Sequence, residues 1–206
     1  MASRIFIATS NPGKLRDFAG IAAGRDLEVS TIPGFASLPA VVEDGTTFEA
    51  NARMKAEGYS KYVPGELVLA DDSGLEVDAL HGDPGVYSAR YAADVPALAE
   101  ANTDDDDNNA KLIRELCGTP REKRTGRFIC VIACAHNGQI LDTFSGVAEG
   151  IILDQPRGRN GFGYDPLFYF PQIQKTFAEL TPEEKARYSH RGSAFRQFLE
   201  WYKKAN

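Results

Sequence analysis

The chain has 206 residues, of which 43% are hydrophobic and 25% are charged, and its formal net charge is −6. This length can bury a core without disulfide staples, and we predict one domain over residues 1–206 with no independent linker. The acidic balance disfavours a polynucleotide partner, although a helix N-terminus or a bound metal can still attract a small anion.

The first half of the chain alternates predicted strands with predicted helices. Asn11 and Pro12 are typical of an N-cap and a first helical position. Apolar patterns predict strands over residues 4–8, 27–32 and 67–70 and a further helix over residues 47–62. Such alternation indicates an α/β fold.

The second half predicts a hairpin and then helices. Residues 127–135 and 139–144 flank Asn137-Gly138, the signal of a type I′ turn, and residues 147–153 can add another strand. Thr181 begins a capping box with proline at the first helical position. The apolar stripe expected to pack in the core after it consists of Ala194, Phe195, Phe198, Leu199 and Tyr202.

The cysteines indicate a reducing compartment. Cys117, Cys130 and Cys134 are an odd number, and the last two lie in an apolar run. This is typical of reduced core thiols rather than of disulfides or a zinc site. No signal peptide is recognisable and no apolar run approaches membrane length, so we expect a cytoplasmic protein with no membrane partner.

Asp71-Asp72-Ser73-Gly74, directly behind the apolar run at residues 67–70, is the most informative stretch. Two adjacent carboxylates at the end of a buried strand are costly unless something compensates their charge. A divalent cation and a substrate or water that exchanges a proton would justify them. The alternative is a turn or a helix cap, because Asp and Ser are common turn formers.

An acidic run at residues 104–107 also allows two interpretations. It can be a cation site, or it can be the solvated start of a helix that continues through Asn108. Negative charge is stabilising at a helix N-terminus, so we favour the helix start.

Two loops have the composition of ligand sites. Residues 9–14 join a strand to a helix start, where backbone N–H groups and Lys14 attract phosphate; an ordinary capped turn fits equally well. Residues 158–166 combine glycines with aromatic faces that stack on a base and with Asp165, which can accept from ring N–H groups. The alternative for that loop is a tight turn whose aromatic side chains pack in the core.

Further candidates stand out by residue type. His190 and Arg191, which follow Ser189, can donate to a base carbonyl or a phosphate; alternatively, Ser189 caps a helix and both side chains lie in solvent. Lys175 is an exposed loop lysine by default, and Glu43 can offer another carboxylate to a metal.

Together these segments resemble the inosine triphosphate pyrophosphatase family, whose substrates are non-canonical purine nucleoside triphosphates. The resemblance rests on six ordered blocks that span nearly the whole chain. They are Thr9-Ser10-Asn11-Pro12-Gly13-Lys14, Thr47-Phe48 with Asn51-Ala52, Ala70-Asp71-Asp72-Ser73-Gly74-Leu75, Gly85-Val86-Tyr87-Ser88-Ala89-Arg90-Tyr91, Gly161-Phe162-Gly163-Tyr164-Asp165-Pro166 and Ser189-His190-Arg191-Gly192.

The resemblance implies an α/β fold with an elongated mixed β-sheet flanked by helices, in two lobes with a central substrate cleft, and a homodimer. It implies magnesium-dependent hydrolysis of ITP, dITP or XTP to the monophosphate and pyrophosphate. Asp72 corresponds to the proton acceptor and a magnesium ligand, with Glu43 as the second metal carboxylate. The substrate-binding positions would be Thr9, Ser10, Asn11, Pro12, Gly13, Lys14, Ser73, Phe162, Gly163, Tyr164, Asp165, Lys175, His190 and Arg191.

Two other functions are alternatives to this one. A pyrimidine nucleotide pyrophosphatase of the related septum-formation-inhibitor (Maf) type shares the general layout, but the block at residues 162–165 argues against it. A nucleotide-binding sensor would keep the pocket without turnover, but the acidic pair and Lys14 disfavour a protein that only binds.

Overall fold

The computed structural model describes residues 3–93 and 102–205. Within them, seven strands form one sheet in the order β2-β1-β3-β4-β5-β6-β7. β1 is parallel to β2 and β3, whereas β6 is antiparallel to β5 and β7, so the mixed α/β sheet implied by the resemblance is confirmed. The strands are β1 Ser3–Ile7, β2 Leu27–Thr31, β3 Leu67–Val77, β4 Thr125–His136, β5 Gln139–Ile152, β6 Phe168–Phe170 and β7 Lys175–Thr176.

The α-helices start where local sequence signals predict. Asn11 caps α1, because its Oδ1 accepts from the amides of Gly13 at 2.8 Å and Lys14 at 3.1 Å. Asp104 caps α3 in the same way, which confirms the acidic run as a helix start. No helix in the described ranges is both long and apolar enough to cross a membrane. The helices are α1 Pro12–Ala22, α2 Phe48–Ser60, α3 Asp105–Glu115, α4 Pro182–Tyr188 and α5 His190–Ala205.

Two sequence predictions about strand ends are wrong. β3 does not end at Ala70, as the apolar run predicts, but continues to Val77. β5 is likewise continuous, so residues 147–153 are not a separate strand. The interruption expected near Gly146 is instead a place of close packing, since a Cβ there would lie 2.6 Å from the Ala194 amide nitrogen of α5. The predicted hairpin turn is confirmed, with φ values of 52° at Asn137 and 77° at Gly138.

The chain forms two compact units. Unit 1 draws on residues 1–72, 130–146 and 186–206, and unit 2 on residues 73–129 and 147–185. Whether they act as the single domain expected from the sequence stays a prediction.

The core of unit 1 contains the predicted apolar stripe of α5. Phe195 and Phe198 are fully buried, and Phe195 meets Phe18 of α1 edge to face at 5.1 Å between ring centroids. Cys130 and Cys134 lie in the same core, and burial raises the pKa of both thiols to about 12. They are the buried, unbridged thiols that the sequence predicts.

The core of unit 2 is a separate aromatic cluster. Phe128 of β4 lies 4.5 Å from Phe168 of β6, and Phe168 lies 4.9 Å from Phe177, as measured between ring centroids. The buried Tyr164 hydroxyl donates to the Ser88 carbonyl at 2.7 Å, so residues 158–166 are hydrogen-bonded to the segment that contains Ser88.

Candidate active site

Asp71 and Asp72 lie side by side in β3 but have different neighbours. Successive side chains of a strand point to opposite faces of the sheet. The Asp71 side chain is 1% exposed and the Asp72 side chain 13% exposed, so both carboxylates require partners. Their cationic partners Lys14, Lys55 and Arg191 belong to unit 1.

Asp71 is compensated by two cations. Its Oδ2 lies 3.1 Å from Lys14 Nζ and 3.1 Å from Arg191 Nη2, and Arg191 Nη1 also donates to Asp17 at 2.8 Å. Burial alone would raise the pKa of the Asp71 carboxyl, but Lys14 and then Arg191 hold that pKa well below its usual range. Asp71 is therefore ionised at neutral pH, and it links β3 to α1 and to the start of α5.

Asp72 shares one ammonium with Glu43. Lys55 Nζ of α2 lies 2.9 Å from Asp72 Oδ1 and 2.7 Å from Glu43 Oε2. Burial raises the pKa of the Asp72 carboxyl, and Lys55 and Lys14 offset this only in part. Asp72 is consequently the more basic member of the acidic pair.

The donor set of this cluster fits a hard divalent cation. Glu43 and Asp72 both contact Lys55 Nζ, so their oxygens lie close together, and a magnesium ion needs only one or two carboxylates besides water and phosphate. In the part of the chain that the structure describes, no group of three or more His, Cys, Asp or Glu side chains forms a complete metal site. The charges also leave room for a cation, because four carboxylates face three cationic side chains: Asp17, Glu43, Asp71 and Asp72 against Lys14, Lys55 and Arg191.

The turn at residues 9–14 is a capped turn whose amides are used internally. The Asn11 amide donates to Thr9 Oγ1 at 3.1 Å, and the amides of Gly13 and Lys14 donate to Asn11 Oδ1. The predicted contribution of backbone N–H groups to phosphate binding is therefore weaker than the sequence indicates. The Lys14 ammonium, 18% exposed as a side chain, lies beside Asp71.

His190 and Arg191 do not lie in solvent, so that alternative is wrong. They are 4% and 1% exposed, respectively. Ser189 does cap α5, as its Oγ accepts from the Gly192 amide at 3.0 Å. Gly192 must be small, since a Cβ there would collide with the Ala186 carbonyl, so the segment that carries both side chains is tightly fixed.

In unit 2, the loop at residues 158–166 builds a second charged group. Asp165 is 3% exposed; it accepts from the Phe162 amide at 3.0 Å and from Lys185 Nζ at 2.6 Å. Lys185 Nζ also lies 4.7 Å from the centroid of the Phe162 ring. The loop turns through Gly161 at φ 81°, where any Cβ would collide with the Asp165 carboxylate.

Helix α3 holds the same loop from its N-terminal end. The Gly163 amide donates to Asp105 Oδ2 at 2.6 Å, and Asn109 Nδ2 donates to the Gly163 carbonyl at 2.9 Å. The core-packing alternative applies to Tyr164, which is 4% exposed, but Phe162 is only half-buried.

Two lysines that the sequence analysis missed belong to these groups. Lys185 takes the position beside Asp165, whereas Lys175 pairs with Glu184 at 2.6 Å and is 40% exposed. Lys185 carries no local signal, because only the fold brings it to Asp165. Lys55 had a readable signal, since a lysine within the apolar face of α2 needs a buried counterion. Ser73, the remaining candidate, lies half-buried in β3 after Asp72.

Comparison with known proteins gives consistent full-length matches. The sequence model of the Ham1 family matches residues 5–201. The dITP/XTP pyrophosphatase of Acidobacterium capsulatum is 48% identical over 97% of this chain and 98% of its own length, and that of Geobacillus kaustophilus is 48% identical over 95% and 92%. The structure of the Staphylococcus aureus Ham1 protein superimposes with a TM-score of 0.81 at 40% identity, covering 99% of this chain and all of the other.

The ion pairs of Asp71 with Lys14 and Arg191 should contribute to the free energy of unfolding, and this contribution should depend on pH. Asp71→Asn leaves two buried cations short of a counterion and should lower the free energy of unfolding at pH 7 by roughly 3–5 kcal/mol. Because the folded pKa lies below the unfolded value, the wild-type carboxylate stabilises fully above about pH 4, and this stabilisation is lost as the pH falls through the folded pKa.

Urea unfolding of the wild type and of the Asp71→Asn variant, from pH 7 to below pH 4, checks the prediction. Glu28→Gln is the control, since Glu28 pairs with Arg4 at the surface, where ion pairs contribute about 0–1 kcal/mol. Equal stability of the Asp71→Asn variant and the wild type at pH 7 would contradict the prediction.

Proposed function

Because this chain belongs to the Ham1 family, we propose that it hydrolyses the non-canonical purine nucleoside triphosphates ITP, dITP and XTP to the monophosphate and pyrophosphate. The relatives named dITP/XTP pyrophosphatase support this substrate class. They do not favour the Maf-type alternative. The observation that carries the proposal is that the two aspartates of unit 1 have different ion-pair partners. Asp71 pairs with Lys14 and Arg191, while Asp72 shares Lys55 with Glu43.

Lys14 is the proposed group for the triphosphate. Its ammonium is a compact charge at the start of α1, held 3.1 Å from the buried Asp71 carboxylate. A cation fixed beforehand stabilises the charge that develops on the leaving pyrophosphate without reorganising during the reaction. Asp71 acts on the reaction only through Lys14.

Asp72 is the proposed general base. Its carboxylate orients a water and accepts a proton from it as the water oxygen bonds to the α-phosphorus and the α–β phosphoanhydride bond breaks to release pyrophosphate. Lys55 holds this carboxylate near Glu43, because its Nζ lies 2.9 Å from Asp72 Oδ1 and 2.7 Å from Glu43 Oε2. The cofactor that these two carboxylates would hold is Mg²⁺, which supplies neutralisation of the phosphate oxygens when bound.

His190 and Arg191 are the proposed readers of the purine 6-keto group, which is an acceptor in hypoxanthine and xanthine but a 6-amino donor in adenine. Arg191 also donates to Asp71 and Asp17, so a purine carbonyl would share its guanidinium with these carboxylates. A donor facing the amino group of adenine would leave buried polar groups mismatched, and such sites reject the wrong ligand strongly.

Base binding is also proposed for Phe162 and Asp165, with Lys185 in place of Lys175. Lys185 is 8% exposed and contacts both Asp165 and the Phe162 ring. This arrangement offers an aromatic face and a fixed carboxylate acceptor for ring N–H groups. The roles of Ser73, Gly163 and Tyr164, the homodimer and the cytoplasmic location stay predictions.

A nucleotide panel tests the proposed reaction. With Mg²⁺, ITP and XTP should give monophosphate and pyrophosphate, with kcat/KM orders of magnitude above that for ATP, UTP or CTP. Chromatography of the nucleotide products and separate assays of pyrophosphate and orthophosphate resolve the outcome. Initial release of orthophosphate and a nucleoside diphosphate would overturn the assignment of cleavage to the α–β bond. Faster turnover of pyrimidine nucleotides would favour the Maf-type reaction. Nucleotide binding without turnover would favour a sensor.

The Asp72→Asn variant tests the proposed base. It keeps the shape of the side chain but removes its charge, and loss of a general base lowers the rate by roughly 10²–10⁴. Single-turnover measurements with ITP should show this loss with nucleotide binding partly retained. Asp44→Asn makes the same charge change on an exposed side chain beside Glu43 and should stay close to wild type. An Asp72→Asn rate within threefold of wild type would assign the proton transfer to another group.

Metal removal tests the proposed cofactor. Activity should vanish in excess chelator and return on addition of Mg²⁺, because an all-oxygen site beside phosphate suits a hard cation. A requirement for Zn²⁺ is not expected, since the three cysteines lack the ligand spacing of a zinc site. Undiminished turnover in excess chelator would exclude the metal.

A further inference from the structure

One buried asparagine contacts both segments that carry the metal carboxylates. Asn51 of α2 is 2% exposed. Its Nδ2 donates to Asp72 Oδ2 at 3.2 Å, and its Oδ1 accepts from the Gly45 amide at 2.9 Å. The two ends of a single carboxamide therefore connect the strand that carries Asp72 to the loop that carries Glu43.

The Gly45 contact requires a glycine. A Cβ at Gly45 would lie 2.6 Å from Asn51 Oδ1 and 2.8 Å from Ala50 Cβ, both closer than such contacts allow. Two residues further on, Thr47 caps α2 by accepting from the Ala50 amide at 3.1 Å. The loop after Glu43 is thus fastened to the first turn of α2 at two points.

Asn51 and Lys55 contact different oxygens of the Asp72 carboxylate. Oδ2 receives the amide of Asn51, while Oδ1 lies 2.9 Å from Lys55 Nζ, which in turn lies 2.7 Å from Glu43. A carboxamide suits this place because it donates at one end and accepts at the other, and it adds no charge to a cluster that already has an excess of carboxylates.

We propose that Asn51 is a positioning residue that fixes the separation and orientation of Glu43 and Asp72, so that together they receive one divalent cation. It touches neither substrate nor metal and acts only through these two groups. This inference rests on the proposed function for its biological meaning, but the metal-binding claim can be measured without turnover.

Binding of Mn²⁺ to the nucleotide-free protein, followed by electron paramagnetic resonance of the unbound ion, is the decisive measurement. Loss of a group that orients metal ligands typically lowers metal affinity by about 10–100-fold. Asn51→Ala should show a loss of that size. The Mg²⁺ concentration for half-maximal ITP turnover should rise in parallel, and kcat should recover at least in part at saturating Mg²⁺.

Asn108→Ala is the matched control. Asn108 is also 2% exposed and its Oδ1 also accepts from a backbone amide, that of Ala92, at 2.7 Å, but its other side-chain partner is Thr103. It should lower the melting temperature as Asn51→Ala does while leaving Mn²⁺ affinity unchanged. A merely structural role for Asn51 predicts that the two variants behave alike.

Gly45→Ala breaks the same connection from the other side and keeps the proposal testable if Asn51→Ala does not fold. Its control is Gly20→Ala, where nothing lies within 4 Å of the added Cβ. Gly45→Ala should weaken Mn²⁺ binding and Gly20→Ala should not.

Two outcomes would overturn the proposal: folded Asn51→Ala or Gly45→Ala protein that binds Mn²⁺ within twofold of wild type, or wild-type protein that binds no Mn²⁺ before nucleotide. Absence of ITP hydrolysis by the wild type, with the Mn²⁺ results as expected, would instead refute only the proposed function.

Discussion

The buried carboxylate of Asp71, held between Lys14 and Arg191, is the interaction on which unit 1 depends. A charge that is 1% exposed inside a strand is tolerated only because two cations reach it from different helices. It follows that α1 and α5 are fixed not only by their apolar faces but by a charge that requires both helices. A network of this kind specifies one packing arrangement, because any other leaves a buried ion without its partner.

The same compensation separates the chemistry of two neighbouring residues. Asp71 is ionised for structural reasons, and its proton affinity is lowered by Lys14 and Arg191. Asp72, one residue later, has a raised pKa, because burial outweighs the effect of Lys55 and Lys14 on it. One dipeptide thus holds one carboxyl with a lowered pKa and one with a raised pKa, and the sheet keeps them apart by directing them to opposite faces.

Local signals were sufficient for much of the fold. Asn11 and Thr181 mark helix starts, and Asn137-Gly138 marks the hairpin, because caps and turns are satisfied by atoms a few residues away. The end of β3 was misplaced for the opposite reason. Two aspartates look like a turn until Arg191, 120 residues further along the chain, is known to neutralise the first of them.

The candidate site shows the same limit. The motif blocks identified Asp72 and Glu43, but their shared partner Lys55 was passed over, although its position on the apolar face of α2 was visible. Lys185 is likewise not predicted, since a lysine that pairs with Asp165 across 20 residues has no pattern in the sequence. Contacts that depend on tertiary structure are the part that sequence periodicity does not encode.

The side chains of β3 alternate between the two faces of the sheet, and this limits where the chain can gain or lose residues. The register of β3 against β1 pairs Ile5 with Leu67 and Ile7 with Leu69. Insertion or deletion of one residue between Leu69 and Asp71 would turn the following side chains to the opposite face, so Asp71 and Asp72 would each leave the face that holds its partners. Changes of length are therefore confined to the connections outside this stretch, such as residues 61–66, and the six residues from Leu67 to Asp72 must keep their number even where their apolar members vary.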